Sequence, residues 1–319
     1  MLEYISRGCE LDLMIAVDCS TTNGDTTKET GLHYCPGQWL VNDYQAAIQK
    51  LGRIFEPYSV RQQFTIWGFG ATVRGETTPL FPMGSGDGIV KGAKGLLDAH
   101  DETFQDNPLY VEAVDEAKLA PLIENAMYQA IHNMKSAQCY SVMCILTAGK
   151  IADDIHHLID TICTAAEDAP LSIVIIGVGG DDHRDDLDSM KMLLNNSSTL
   201  RHSNGVPISR DIVRFAAFRD FGYNVSDTIA EGLKEVNEQL VEHFTSNGIQ
   251  PLRRLISDGS NADLVDAVEE EEEDELMAGS GRSQVSEEDA DLSIVSRTPT
   301  SRKKRLSLRK KREKKNKDG

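Results

Sequence analysis

The chain has 319 residues, room for one sizeable domain with tails or for two small ones. Its net charge of −18 is strongly segregated: eleven Lys/Arg and a single acid fall between Arg302 and Lys317, so the rest is more acidic than the total implies. That balance excludes binding of nucleic acid or anionic lipid by bulk charge over the folded part and leaves the basic end as the one segment suited to either.

The first apolar run, Leu11 to Val17, reads as a buried strand ending in Asp18, Ser20 and Thr22 and then Asn23-Gly24. A strand whose carboxyl end opens into hydroxyls and a carboxylate is how an open α/β sheet presents a ligand site. These hard-oxygen groups, two residues apart, can aim at one ion, with magnesium as the best match. Thr21 to Pro36 reads as a polar loop, and Trp39 to Phe55 has apolar residues at helical spacing up to the stop at Pro57. Gln63 to Phe69 is a second strand. Val73 to Gly88 is a Gly/Pro-rich connection with room for a short edge strand near Thr77 to Phe81.

Ile89 to His100 is read as a helix, and Val111 to Met134 as a helical stretch that Pro121 breaks or starts anew. Tyr140 to Leu146 is the third core strand, Ile151 to Ala166 a helix, Leu171 to Gly177 the next strand and Asp186 to Leu194 a helix. Asp211 to Ala217 is extended, and Ser226 to Thr245 reads as one closing helix before Asn247-Gly248. Strands alternating with helices call for an α/β fold, a doubly wound and mostly parallel central sheet with helices on both faces. The domain is expected over residues 1–250. Residues 251–319 are expected to be a disordered acidic-then-basic tail, because Glu269 to Glu275 is unbroken acid and few apolar residues follow.

The six cysteines lack paired C-x-x-C spacing and read as buried thiols of a reducing compartment. No signal pattern opens the chain, and the longest apolar run is far short of the ~20 residues that cross a bilayer. The expected location is cytoplasmic, with nuclear or membrane-peripheral placement open through the basic end. Gly177-Val178-Gly179-Gly180 lacks the third glycine of a dinucleotide loop and is followed by aspartates, so it reads as a tight turn. His156-His157 reads as a surface pair. With no nucleophile elbow, H-E-x-x-H or Walker loop, nothing supports catalysis.

Several segments together resemble one family: LEYISRGCELDLMIAVDCSTTNGD, GLHY, GFGA at Gly68 to Ala71, YSVMCILTAGKIAD, LSIVIIGVG and RDIVRFAAFRDF. In this order, over roughly residues 1–250, they are similar to the copine-type von Willebrand factor A domain. The family's two N-terminal calcium-dependent lipid-binding domains are absent from this sequence. The resemblance implies the fold just read, and a metal-ion-dependent adhesion site built from three loops. The first, D-x-S-x-S or D-x-T-x-S, is matched by Asp18, Ser20 and Thr22. The second, G-P-T-N-F, finds its best match at Asn107 to Tyr110, with Leu109 in the threonine place. The third, T-D-G, is Thr147-Ala148-Gly149, with Ala148 where the second carboxylate would stand.

The expectation is therefore a degenerate site in which Asp18, Ser20 and Thr22 satisfy the backbone of their own loop, with Mg²⁺ as the alternative. The function implied is a non-enzymatic module that docks another protein, of unspecified identity. Two alternatives stay open: a calcium- and phospholipid-linked membrane protein, as copines are, and the substrate-binding component of a ligase, because a related family couples such a domain to a RING finger. The tail offers Arg302, Lys303, Lys304, Arg305, Arg309, Lys310, Lys311 and Arg312 to anionic lipid or nucleic acid, and Thr298 and Ser307 as phosphorylation sites that would weaken such contacts.

Overall fold

The computed structural model describes residues 1–253 apart from 36–40, 107–110, 116, 150–151 and 195–196. Met1–Leu255 forms one compact unit. Leu109, the phosphorylation candidates and the basic run lie outside the described residues.

In chain order the elements are α1 (Leu2–Ser6), β1 (Glu10–Asp18), α2 (Asp43–Phe55), β2 (Gln63–Phe69), β3 (Ala71–Val73), β4 (Glu76–Thr78), β5 (Phe81–Pro82), β6 (Ile89–Lys91) and α3 (Gly92–Asp101). There follow β7 (Val111–Ala113), α4 (Ala120–Ser136), β8 (Cys139–Thr147), α5 (Ile155–Asp168), β9 (Leu171–Gly177), α6 (Arg184–Leu194), β10 (Val213–Ala217), α7 (Val225–Leu233) and α8 (Val236–Ser246). The main sheet runs β10-β9-β8-β1-β2-β5, with β6 also on β2. Its pairings from β10 to β2 are parallel, and β5 and β6 join antiparallel. This is the doubly wound sheet that the strand–helix alternation implies.

The two-residue period of β1 explains why both faces carry helices. Leu13, Ile15 and Val17 point into one core with Leu51 of α2, Leu96 of α3, Ile229 of α7 and Leu240 and Phe244 of α8. Met14 and Ala16 point into the other with Ile123 of α4, Ile162 of α5 and Leu187 of α6. Each fully buried aliphatic side chain contributes roughly 1.5–3 kcal/mol, which makes β1 costly to disturb. Asp12 is the exception in that run. It accepts hydrogen bonds from Asn133 Nδ2 (2.9 Å) and Ser141 Oγ (3.3 Å), and burial pushes its pKa up to about 6.

Several boundaries differ from the sequence reading. Ile89–Lys91 is a strand on β2, and the helix starts only at Gly92. Val111–Ala113 pairs with β3 in a small antiparallel sheet, β4-β3-β7, and the following helix begins at Ala120 with Pro121 in its first turn. The closing helix is two helices that part between Leu233 and Val236. Cys9, Cys19, Cys139, Cys144 and Cys163 are buried free thiols, and Cys35 exchanges hydrogen bonds with Gln45. Among the described residues no helix is long and apolar enough to cross a membrane.

Candidate functional site at the carboxyl edge of the sheet

Asp18 ends the central strand and is fully buried. Its Oδ1 accepts the amide of Ser20 at 2.9 Å, which turns the chain out of the sheet. Its Oδ2 accepts the hydroxyl of Thr147 at 2.7 Å and the amide of Ala148 at 3.3 Å, both at the end of the neighbouring strand β8. Both carboxylate oxygens are thus committed to donors of the chain itself. Thr147 Oγ1 in turn accepts the Gly149 amide at 3.1 Å, so the third loop is closed on the first. Ala148, itself buried, reaches Asp18 only through its backbone.

The first loop continues as one 3₁₀ turn, Thr21–Asn23, held from inside. Asn23 donates to the carbonyls of Asp18 (3.0 Å) and Ser20 (3.2 Å) and accepts from the Tyr44 hydroxyl of α2 at 2.5 Å. His33 bonds to the Asp18 carbonyl at 2.7 Å. A carbonyl can only accept, so Nε2 of His33 carries the proton and donates. Its ring stacks between Tyr44 (centroids 4.1 Å apart) and Phe104 (4.0 Å). Burial, helped by His100 at 3.4 Å, lowers its pKa to about 3, so it stays neutral at ordinary pH. Gly70, just past β2, has φ +73°, and a Cβ there would lie 2.9 Å from Ser20 Cβ. The G-F-G-A turn can press on the first loop only because that position is glycine.

Ser20 stands apart. Its residue is 1% exposed, and its hydroxyl oxygen has no hydrogen-bond partner. It lines a cavity of about 200 Å³ between the first loop, His33 and Phe104. Thr22, half-buried on the same turn, completes the D-x-S-x-T spacing.

The strand-to-helix connection from β7 to α4 packs against this loop. The Val114 carbonyl accepts the Thr21 amide at 3.1 Å, and Asp115 Oδ1 accepts the Thr21 hydroxyl at 2.5 Å. Asp153 is spent on the same connection, its carboxylate accepting the amides of Leu119 (2.6 Å) and Ala120 (3.0 Å) at the start of α4. Asp154 caps α5 through the amides of His156 and His157. Neither carboxylate reaches toward Asp18, and both histidines are exposed. Among the described residues no group of three or more His, Cys, Asp or Glu is placed to share a metal ion.

His33 and Asp115 are the site residues that the motif reading passes over. GLHY carries His33 in plain view, but its partner lies 15 residues back, and Asp115 lies 94 residues from Thr21. No spacing rule links either pair.

This doubly wound sheet, its central strand ending in D-x-S-x-T and met there by a threonine at the end of the adjacent strand, has the architecture that the resemblance to a von Willebrand factor A-type domain implies. The copine family model matches residues 31–252, and the chain belongs to that family. Copine-B of Dictyostelium discoideum is 31% identical over 255 residues, covering 79% of this chain and 46% of that protein. Copine-A of the same organism is 32% identical, covering 78% and 40%, and Protein BONZAI 2 of Arabidopsis thaliana is 31% identical, covering 78% and 42%. The chain therefore spans less than half the length of these relatives. The manganese-loaded TRAP protein of Plasmodium vivax matches 68% of this chain and 71% of its own at 12% identity, with a TM-score of 0.38.

Proposed function

We propose that this copine-family domain is a non-enzymatic docking module whose site at the carboxyl edge of the sheet engages a partner protein without a metal ion. The observation that carries the reading is the commitment of Asp18. Its two oxygens already hold the Ser20 amide, the Thr147 hydroxyl and the Ala148 amide. Magnesium asks for a near-octahedral oxygen shell. The third loop offers Ala148 in place of a carboxylate, and Asp153 and Asp154 cap helices. Among the fully buried side-chain oxygens there, the Ser20 hydroxyl lacks a partner, and hydroxyls beside a single carboxylate fall short of the shell a divalent ion needs.

The absence of catalysis has its own support in the chemistry of the site. His33, the nearest base, has its Nε2 proton tied to the Asp18 carbonyl, and its ring is shut between two aromatic rings. The Cys19 thiol is pushed up by burial and by the charge of Asp18, away from the thiolate a nucleophile needs.

Co-precipitation from cell extract tests the reading, comparing wild type with Thr22→Arg in buffer containing EDTA or magnesium. Partners of the site survive EDTA and are lost with the arginine, which covers the loop without touching Asp18. A partner that EDTA releases would contradict the metal-free reading.

A further inference from the structure

The group that such a partner brings follows from the charge and bonding of the cavity behind the first loop. Ser20, Asn23, Asp25, Thr26, His33 and Phe104 line about 200 Å³. Most of its inner polar groups are already matched. Asn23 and His33 hold the Asp18 carbonyl, and Thr103 Oγ1 accepts the Gly84 amide and donates to the Ala99 carbonyl. The Ser20 hydroxyl is left over, buried with nothing to bond. An unmet buried hydroxyl destabilises the fold, so a group that enters and bonds to it recovers that loss.

The surrounding field decides which group. The Ser20 amide sits on the Asp18 carboxylate, Asp25 lines the mouth, and Asp115 holds the neighbouring Thr21. Hydrogen bonds from Thr27 and Lys28 hold the Asp25 carboxyl down at about 2, so it stays charged. Among the described residues none that lines the cavity is Lys or Arg. Lys28 pairs with Asp25 at 3.0 Å, so the field is set mainly by the Asp18 and Asp115 carboxylates beside the lining, and a partner carboxylate placed here without a metal would face its own sign.

An ammonium group fits. It brings three donors on a compact head, and its alkyl stem suits the wall made by Phe104 and Ala113. A guanidinium asks for a planar pair of acceptors, and the Asp18 carboxylate is not among the groups that line the cavity. We propose that the orphaned Ser20 hydroxyl and the cavity it lines, flanked by Asp18, Asp25 and Asp115, form a socket for the ε-ammonium of a partner's lysine. This rests on the metal-free reading of the site, from which it would follow that the site selects a basic group.

Amide chemical shifts of the 319-residue chain in EDTA test the socket with three probes: Nα-acetyl-lysine N-methylamide, its Nε-acetylated form, and Nα-acetyl-glutamate N-methylamide. The lysine probe is expected to shift the Ser20, Asn23 and Gly24 amides saturably at millimolar concentration, and the Nε-acetylated probe is not. Ser20→Ala, which removes only the unbonded hydroxyl, should weaken the lysine probe about tenfold, the loss expected for one hydrogen bond to a charged group. Asp25→Asn should weaken it about threefold by removing a charge at the mouth. Equal binding of the acetylated probe, or unchanged affinity in Ser20→Ala, overturns the socket. So does binding of no probe, which leaves water to satisfy Ser20 and the metal-free reading intact. Binding of the glutamate probe in EDTA overturns the socket alone, whereas its binding only with added magnesium overturns both.

Discussion

Replacing Asp18 by alanine in metal-free buffer measures what that carboxylate does for the fold. Three buried donors would lose their acceptor: the Ser20 amide at 2.9 Å, the Thr147 hydroxyl at 2.7 Å and the more distant Ala148 amide at 3.3 Å. A hydrogen bond to a charged group contributes about 1.5–3 kcal/mol. The two short bonds then give a loss of about 3–6 kcal/mol, against a total of about 5–15 kcal/mol for a typical domain. Urea unfolding in EDTA, followed by tryptophan fluorescence, reads the loss as a lowered midpoint; Trp67, buried in β2, is one of the two reporters. Thr147→Val, which keeps the volume and deletes one donor, should lose about 1.5–3 kcal/mol by the same bond. A loss below about 1 kcal/mol for Asp18→Ala would refute the reasoning, since three ties of this kind cannot total so little.

Further outcomes follow from the same structure. Gly52→Ala in α2 would place a Cβ 2.7 Å from the Cα and Cβ of Ala93 in α3. Overpacking at about 1–3 kcal/mol outweighs the roughly 1 kcal/mol gain in helix propensity, so the urea midpoint should fall, and a rise would show that α2 and α3 can part freely. Asp153→Ala frees the Leu119 and Ala120 amides and should lose about 1–2 kcal/mol in urea unfolding, with Asp153→Asn losing less. His33 sets an acid limit. Its pKa is about 3 when folded against an ordinary 6.5, so the unfolded chain binds the extra proton, and stability present above pH 6.5 is lost as pH falls toward 3. Between pH 7 and 5 this amounts to about 2 kcal/mol, which His33→Gln should abolish; equal slopes in the two proteins would remove His33 as the cause.

What could be read from residues alone follows from where the determining forces act. β1, β2 and β9 are buried on both sides, so each is a mainly apolar run, aliphatic in β1 and β9 and aromatic-rich in β2. The doubly wound class followed from their alternation with amphipathic helices. β6 and β7 are three residues long, too short for periodicity, and each is a strand only because β2 or β3 supplies the pairing edge. The break between α7 and α8 has no proline to mark it. Asp18, Ser20 and Thr22 were legible as a candidate site because their spacing is local. The bonds that define what the site can do, from Thr147 and His33 to Asp18 and from Thr21 to Asp115, join residues far apart in the chain, so only the folded structure brings them together.

The central claim, that the site works without a metal, meets its most direct test in a melting curve of the 319-residue chain. It would be recorded in EDTA and again with millimolar MgCl₂ or MnCl₂. An ion bound only by the native state at 100 times its Kd adds about 2.7 kcal/mol, a rise of about 5–10 °C for a domain of this size. The account predicts no rise beyond that of an Asp18→Asn control. A rise of several degrees in the wild type, absent from that control, would contradict it.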